Sequence, residues 1–273
     1  MDRRSFLEQK AKRIRYLTMD CIATLGVGHI GGALSVVDVL AVLYSGIMNV
    51  DPSNPKMEGR DRLVLSKGHA GPALYAALAN EGFFPLEELK TLNKPGTNLP
   101  SHVDMNKTPG VDMTAGSLGQ GFSCAVGIAL GSRLRKDGAT IYAIIGDGES
   151  QEGTIWEAAM AAAHYSLDNL IAFTDYNRMQ IDGLVEDIIG LRDIEKKWAA
   201  FGWNVFSIDG HDVIAIEETI KQAKSLRGSG KPCMIVLHTI KGKGVSYAEK
   251  LGFHNHNFAV DEKLKDMILN ELS

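Results

Sequence analysis

Two strand-like stretches that end in oxygen-bearing side chains constrain this chain more than any other feature. The first is Thr140-Ile-Tyr-Ala-Ile-Ile-Gly146-Asp147-Gly148-Glu149 and the second is Asn169-Leu-Ile-Ala-Phe-Thr-Asp-Tyr-Asn177. Each is an apolar run of β-branched and aromatic residues, of the length taken by a strand buried on both faces. The Ala-rich segment Gly153 to Tyr165 between them predicts a crossover helix. A right-handed βαβ unit makes the strands parallel, so Asp147 and Asn177 should emerge on one carboxyl edge of the sheet. A carboxylate and an amide carbonyl beside Gly-rich backbone suit a hard cation such as Mg²⁺ carrying a phosphorylated ligand. Glu149 and the N–H groups at the start of the following helix would complete an anion-and-metal pocket there. The Gly146-Asp147-Gly148 tripeptide alone would be weak grounds, because it often serves only as a tight turn.

The same alternation runs along the chain. An amphipathic opening helix is followed by a Gly-rich turn, Gly26 to Gly32, and a helix over about 35–48, with Ser35 as cap and Asp38 as its acidic partner. Strands are expected at 61–66, 204–209 and 233–238. Helices are expected at 71–82, from Gly116-Ser-Leu-Gly-Gln-Gly121 to Leu134, and at 193–201, 213–226 and 261–272. Two segments, 91–113 and 178–190, read as loops. The fold class is therefore α/β, a three-layer sandwich with a mainly parallel sheet. No composition break divides residues 1–273, so one domain is expected.

Composition removes several functions. A net charge of −4 gives no reason to expect nucleic acid or an anionic membrane as partner. No run approaches the ~20 apolar residues of a membrane span, and residues 1–16 lack the apolar centre of a secretory signal. Cys21, Cys124 and Cys233 stand singly, which fits a reducing cytoplasm and argues against zinc or a disulfide framework. There is no Gly-x-Ser-x-Gly elbow, no phosphate-binding Gly-Lys-Ser/Thr and no dinucleotide fingerprint.

Five of the eight histidines, His29, His69, His102, His254 and His256, lie in polar or Gly-flanked loops. A single loop histidine is ordinarily a solvated side chain. Several at the ends of different α/β segments could instead converge on one crevice, binding hydroxyls and moving protons. His164 reads as a packing residue, His211 as loop structure, and His238 as either. Glu152 and Glu157 read as a solvated first helical turn.

In order along the chain, several segments together resemble the amino-terminal part of transketolase. They are Gly28-His29-Ile-Gly-Gly, Ser66-Lys-Gly-His69-Ala-Gly-Pro, Ser101-His102, Thr114-Ala-Gly-Ser-Leu-Gly-Gln-Gly121, Gly146-Asp-Gly-Glu-Ser-Gln-Glu-Gly153, Asn177 and Ile240-Lys-Gly-Lys-Gly244. The resemblance implies a thiamine diphosphate site with Mg²⁺ ligated by Asp147, Asn177 and the Met179 carbonyl. It implies that Gly146, Gly148, Glu149, His69 and His254 line the diphosphate side, that Gly116 and Leu118 meet the aminopyrimidine through their backbones, and that Ile181 packs on the cofactor. His29, His69, His102 and His254 would contact sugar hydroxyls and move protons. The family's single tail histidine is aligned with His254, with His256 as the alternative. Glu152 and Glu157 match acidic residues that link paired active sites.

The resemblance also implies a partner. The pyrimidine-binding domain and its activating glutamate would lie on a separate carboxy-terminal subunit, giving a heterotetramer that transfers a two-carbon ketol unit from a ketose phosphate to an aldose phosphate. A specialised relative acting on an unusual sugar phosphate or a sulfosugar fits the same motifs. A non-catalytic scaffold subunit is the reading from another class, against which the intact Asp147, Asn177 and histidine set argue.

Overall fold

The computed structural model describes residues 1–273. Its centre is a sheet of five parallel strands: β1 (Arg62–Leu65), β2 (Ile141–Gly146), β3 (Leu170–Tyr176), β4 (Asn204–Asp209) and β5 (Cys233–His238). They lie in the order β1-β2-β3-β5-β4. Alternate residues of each strand serve opposite faces, as the pleat requires. In β2, Tyr142 and Ile144 enter one core while Ile141, Ala143 and Ile145 enter the other.

The order of the strands decides which helix goes where. From β1 to β4 the chain advances across the sheet. Right-handed crossovers therefore put three helices on one face: α3 (Gln120–Arg135), α4 (Gly153–His164) and α5 (Ile194–Ala200). That face packs Phe122, Ile155, Trp198 and Trp203 against the strands. From β4 to β5 the chain steps back, and α6 (Val213–Ser225) falls on the opposite face. There it joins α1 (Arg3–Leu25), α2 (Gly71–Asn80) and α7 (Glu262–Leu272). The chain leaving β1 turns to this second face, whereas the chains leaving β2 and β3 turn to the first. A crevice results at the carboxyl ends of β1, β2 and β3, the place where open α/β sheets bind ligands.

Helix ends follow their local chemistry. Asp2, Asp193, Asp212 and Asp261 each accept backbone N–H bonds as caps, and α1 stops at Gly26 in the left-handed conformation. The expected helix over 35–48 is different. Short helices at Gly31–Leu34 and Val37–Val42 lead into a π-turn, Leu43–Ile47. Ser35 caps no helix start; its hydroxyl donates to Asp175 Oδ2 at 2.7 Å. The Asp38 carboxylate instead takes Arg15 and His211.

Two small ribbons had no counterpart in the sequence reading. Met179–Gln180 pairs with Gly183–Leu184 as a hairpin inside the expected loop 178–190. Val27–His29 pairs antiparallel with Asn257–Ala259, placing His29 opposite Asn257. The tail is also held by the fully buried Asn255, whose amide donates to the carbonyls of Lys241 (2.8 Å) and Ala248 (3.0 Å). Gly31 packs so closely on this side chain that a Cβ there would collide with Asn255 Oδ1. Gly31→Ala should therefore lower unfolding stability by about 1–3 kcal/mol, the usual cost of overpacking, measured by urea denaturation. Unchanged stability would show that the tail is not seated as described.

Candidate active site

The crevice holds a cleft of about 350 Å³ built from the ends of all three strands. β1 runs into Ser66-Lys67-Gly68-His69, β2 into Asp147-Gly148-Glu149, and β3 into Asn177 and the Met179–Leu184 hairpin.

The deepest element is an ion pair. Lys67, 2% exposed, bonds the fully buried Asp175 carboxylate, which also accepts from Ser35, Thr239 and Asn177 Nδ2. Burial would raise the Asp175 pKa, but the Lys67 ammonium and these donors outweigh it and hold the carboxyl below its ordinary value. With Asn177 Nδ2 committed to Asp175 at 3.1 Å, its Oδ1 turns toward the cleft and accepts from the Met179 N–H at 3.1 Å.

Asp147 stands beside it with one oxygen on the Gly148 N–H at 2.7 Å and the other on the Arg178 N–H. Burial, and next the Asp175 carboxylate, push Asp147 up to about 7. Desolvation makes this buried carboxylate costly to ionise even with Lys67 nearby, and a bound divalent cation would oppose that shift. The Met179 carbonyl meets the Lys241 ammonium at 3.3 Å. Burial, then the nearby Lys67, lower Lys241 to about 8. The donors gathered here are a carboxylate, an amide carbonyl and a backbone carbonyl, all hard oxygens, and one of them already attracts a cation. This set fits a hard divalent ion holding an anionic group.

Glu149 lines the cleft, but its contacts point inward. Its Oε1 accepts from Ser66 Oγ and the Gly119 N–H, and its Oε2 from the Gly146 N–H. It ties the Gly116–Gly119 turn to β2 rather than presenting a free carboxylate. Burial raises its pKa, which those donors oppose. Gly116 has no neighbour within 4 Å of where a Cβ would stand, and Leu118 and Ile181 are exposed at the rim.

The histidines converge, with one change. His29 lies 5.5 Å from His69, 5.4 Å from His102 and 5.2 Å from His256 by ring centroid, and His69 lies 5.2 Å from His256. His254 is not in the group; it is exposed and packs on Phe253, 4.1 Å between ring centroids. The ribbon explains the change. Pairing His29 with Asn257, together with the Ile30 N–H bond to the His256 carbonyl at 3.2 Å, brings His256 to the cleft. The short 3₁₀ turn over Gly252–His256 then sends His254 to another side, with Asn255 buried between them. His164 also departs from expectation, being exposed against Tyr165.

Burial and neighbouring charges disfavour the protonated form of His29, His69 and His256. Burial lowers His29, with His102 adding to it. Burial and then Lys67 lower His69 well below the ordinary value. Burial and then Lys241 take His256 to about 3. A neutral imidazole can both accept and donate a proton.

The sequence reading assigned no role to Lys67, Lys241 or Gln180, which also line the cleft. The two lysines sit inside motifs quoted above, Ser66-Lys67-Gly-His69 and Ile240-Lys241-Gly-Lys-Gly244. A lysine beside glycines at a strand end was the available signal.

This is an α/β domain with an anion-and-cation cleft at the carboxyl edge of its sheet. Residues 7–267 match the family described as transketolase, thiamine diphosphate binding domain. The chain belongs to the transketolase family, as its amino-terminal, thiamine diphosphate-binding part. It is 61% identical, over 91% of its length and 90% of the relative's, to the 6-deoxy-6-sulfo-D-fructose transketolase subunit SqwG of a Clostridium species. It is 39% identical, over 96% of its length and 92% of the relative's, to an apulose-4-phosphate transketolase subunit of Phocaeicola vulgatus. The structure of transketolase from Campylobacter jejuni superposes with a TM-score of 0.89 at 32% identity, covering 99% of this chain and 43% of that one.

Two measurements probe the site. Lys67→Met strands a buried carboxylate and should cost about 3–5 kcal/mol of stability, read from urea denaturation; a loss below about 1 kcal/mol would remove the pair from its central role. For the depressed histidines, the folded state binds fewer protons than the unfolded chain between 6.5 and the native values. Their contribution to stability is therefore lost as pH falls below about 6.5. The melting temperature of cofactor-free His256→Asn should accordingly decline less than wild type on acidification, and parallel curves would contradict the assignment.

Proposed function

We propose that this chain is the diphosphate-side subunit of a two-chain transketolase that uses thiamine diphosphate and Mg²⁺. The observation that carries the reading is the buried Asp147 carboxylate, raised to about 7 and set beside Asn177 Oδ1 and the Met179 carbonyl under four converging histidines. Asp147, Asn177 and Met179 would hold Mg²⁺. Lys241, His69 and the backbone at Gly148 would face the diphosphate. Gly116, Leu118 and Ile181 would meet the remainder of the cofactor. Gly146 and Glu149 would hold those segments in place.

Bound thiamine diphosphate supplies a carbon nucleophile and an electron sink for cleaving a bond next to a ketone. The protein's own residues manage protons and position. His29 and His256, neutral and 5.2 Å apart, would accept the proton from the donor's C3 hydroxyl as the C2–C3 bond breaks and return one to the acceptor's carbonyl oxygen. His102 and His69 would orient the C1 hydroxyl. The product is a ketose lengthened by the two-carbon ketol unit, with an aldose released from the donor.

For the donor, the relative at 61% identity favours a sulfosugar of the 6-deoxy-6-sulfofructose kind over an ordinary ketose phosphate. The partner would be a carboxy-terminal transketolase subunit carrying the pyrimidine-side domain, in keeping with the word "subunit" in the relatives' names. An exposed stripe on α4, Glu157, Met160 and His164 with Glu152 at its start, and the exposed Leu184, Ile188 and Ile189 suit contacts within a heterotetramer. No helix is long and apolar enough to cross a membrane, in keeping with a cytoplasmic setting.

Two outcomes check this. The purified chain should show no ketol transfer until mixed with its partner subunit; full turnover alone would refute the division of labour. Asp147 must shed its proton to ligate, so Mg²⁺-dependent binding of thiamine diphosphate should tighten from about pH 6 to about pH 8. Asp147→Asn should weaken that binding by more than about tenfold, since even outer-shell partners are worth 10–100-fold, and unchanged titrations would contradict the role.

A further inference from the structure

We propose that His211 is a positioning residue for the cofactor cleft, acting through the Ile240 amide to set where Lys241 stands. The inference rests on the reading of Lys241 given above.

Lys241 lies in the turn that leaves β5. Its backbone is held on three sides. The Ile240 N–H donates to His211 Nε2 at 2.8 Å, the Lys241 carbonyl accepts from Asn255 Nδ2 at 2.8 Å, and the Gly242 N–H donates to the Gly31 carbonyl at 3.0 Å. The turn is packed tightly against the body of the protein. A Cβ at Gly242 would stand 2.8 Å from Asn255 Nδ2, and one at Gly244 would stand 2.8 Å from Arg15 Nε. Ile240 is 45% exposed, so the hydrogen bond from its N–H to His211 is the anchor on that side.

Behind His211 stands a buried charge. Its Nδ1 lies 2.8 Å from Asp38 Oδ2, and Asp38 is bonded twice by Arg15 Nη2, at 2.8 and 3.0 Å. An amide N–H can only donate, so Nε2 must carry the lone pair and Nδ1 the proton, which then points at Asp38. Asp38 thus selects the tautomer that can receive Ile240, much as outer-shell carboxylates orient metal-binding histidines. The rest of the Asp209-Gly-His-Asp212 segment keeps the ring in place. Asp209 Oδ1 accepts from the His211 N–H at 2.8 Å, and Asp212 caps α6 through Ile214 and Ala215. A Cβ at Gly210 would come within 2.9 Å of Leu237 on β5. The whole motif presses the imidazole against the turn that carries Lys241.

The test uses two substitutions that mimic different halves of the ring. An asparagine amide reproduces Nδ1 and keeps the bond to Asp38; a glutamine amide reaches the Nε2 position and can still accept from Ile240. Thiamine diphosphate binding at saturating Mg²⁺ is followed by calorimetry on the chain assembled with its partner subunit. His211→Asn should weaken binding about five- to tenfold, the worth of one neutral hydrogen bond, while His211→Gln stays within about twofold. In a Lys241→Met background, His211→Asn should have no further effect, since both act at one point. Equal losses for Asn and Gln, or additive losses with Lys241→Met, would overturn the inference and leave the cleft reading intact. If Lys241→Met itself binds as wild type, the cleft reading of Lys241 fails and the inference with it. A measurement without substitutions adds a check: the Ile240 amide should exchange its hydrogen slowly, and fast exchange would overturn the anchor.

Discussion

The Lys67–Asp175 ion pair is the interaction on which the rest of the site depends. It joins the end of β1 to the end of β3 across the intervening β2, and Asp175 gathers Ser35, Thr239 and Asn177 around the same carboxylate. Segments distant in sequence are thereby registered by one buried charge. Its stability depends on complete satisfaction, because a buried carboxylate without partners is too costly to keep ionised. Completeness also brings direction: Asn177 can turn only one end of its amide toward the cleft, and that end is the oxygen a cation would need. A hydrophobic pair could hold the strands but could not orient the amide.

Around that pair the cleft has an asymmetric charge. Lys67 is neutralised by Asp175, but Lys241 has only the Met179 carbonyl and the distant carboxylates to offset it. Asp147 is pushed up to about 7 by burial and by Asp175. Each group is strained in the direction that an anion bound through a divalent cation would relieve. His69 and His256 are shifted for a related reason, since burial and the neighbouring lysine ammonium groups both disfavour imidazolium. Lys67 and Lys241, the cations that would favour an anion in the cleft, thus also disfavour the protonated forms of His69 and His256.

The backbone at the cleft is fixed by groups whose hydrogen bonds point away from it. Glu149 clamps the Gly116–Gly119 turn and Gly146, Asn255 clamps Lys241, and the Asp38–His211 pair holds Ile240. Glu149, Asn255 and His211 each bond main-chain groups there, leaving the side chains beside those groups to meet a ligand. The rim at Leu118 and Ile181 is built differently: it is apolar and exposed, the character of a surface completed by something else.

The strands and long helices were legible because their signals are local. Ile141–Gly146 and Leu170–Tyr176 are apolar runs of strand length, and Gly153–His164 is a helix framed by glycine and a β-strand. The order of motifs along the chain placed Asp147, Asn177 and three of the four clustered histidines at one sheet edge. The choice of His256 over His254 was not legible. It depends on three residues pairing across some 230 positions, and a strand that short carries no periodicity to read. Ser35 and Asp38 looked like a helix cap because that is what such residues do locally; the fold instead uses them for Asp175 and for His211 and Arg15, partners from remote segments. By itself, the sequence determined the sheet strands, most of the long helices and the polar residues at their ends, through apolar runs of strand length and helical composition. Only the tertiary structure decided which side chain of each polar pair turns inward, because that choice rests on buried charges and short long-range contacts whose energy exists only once the partners have met.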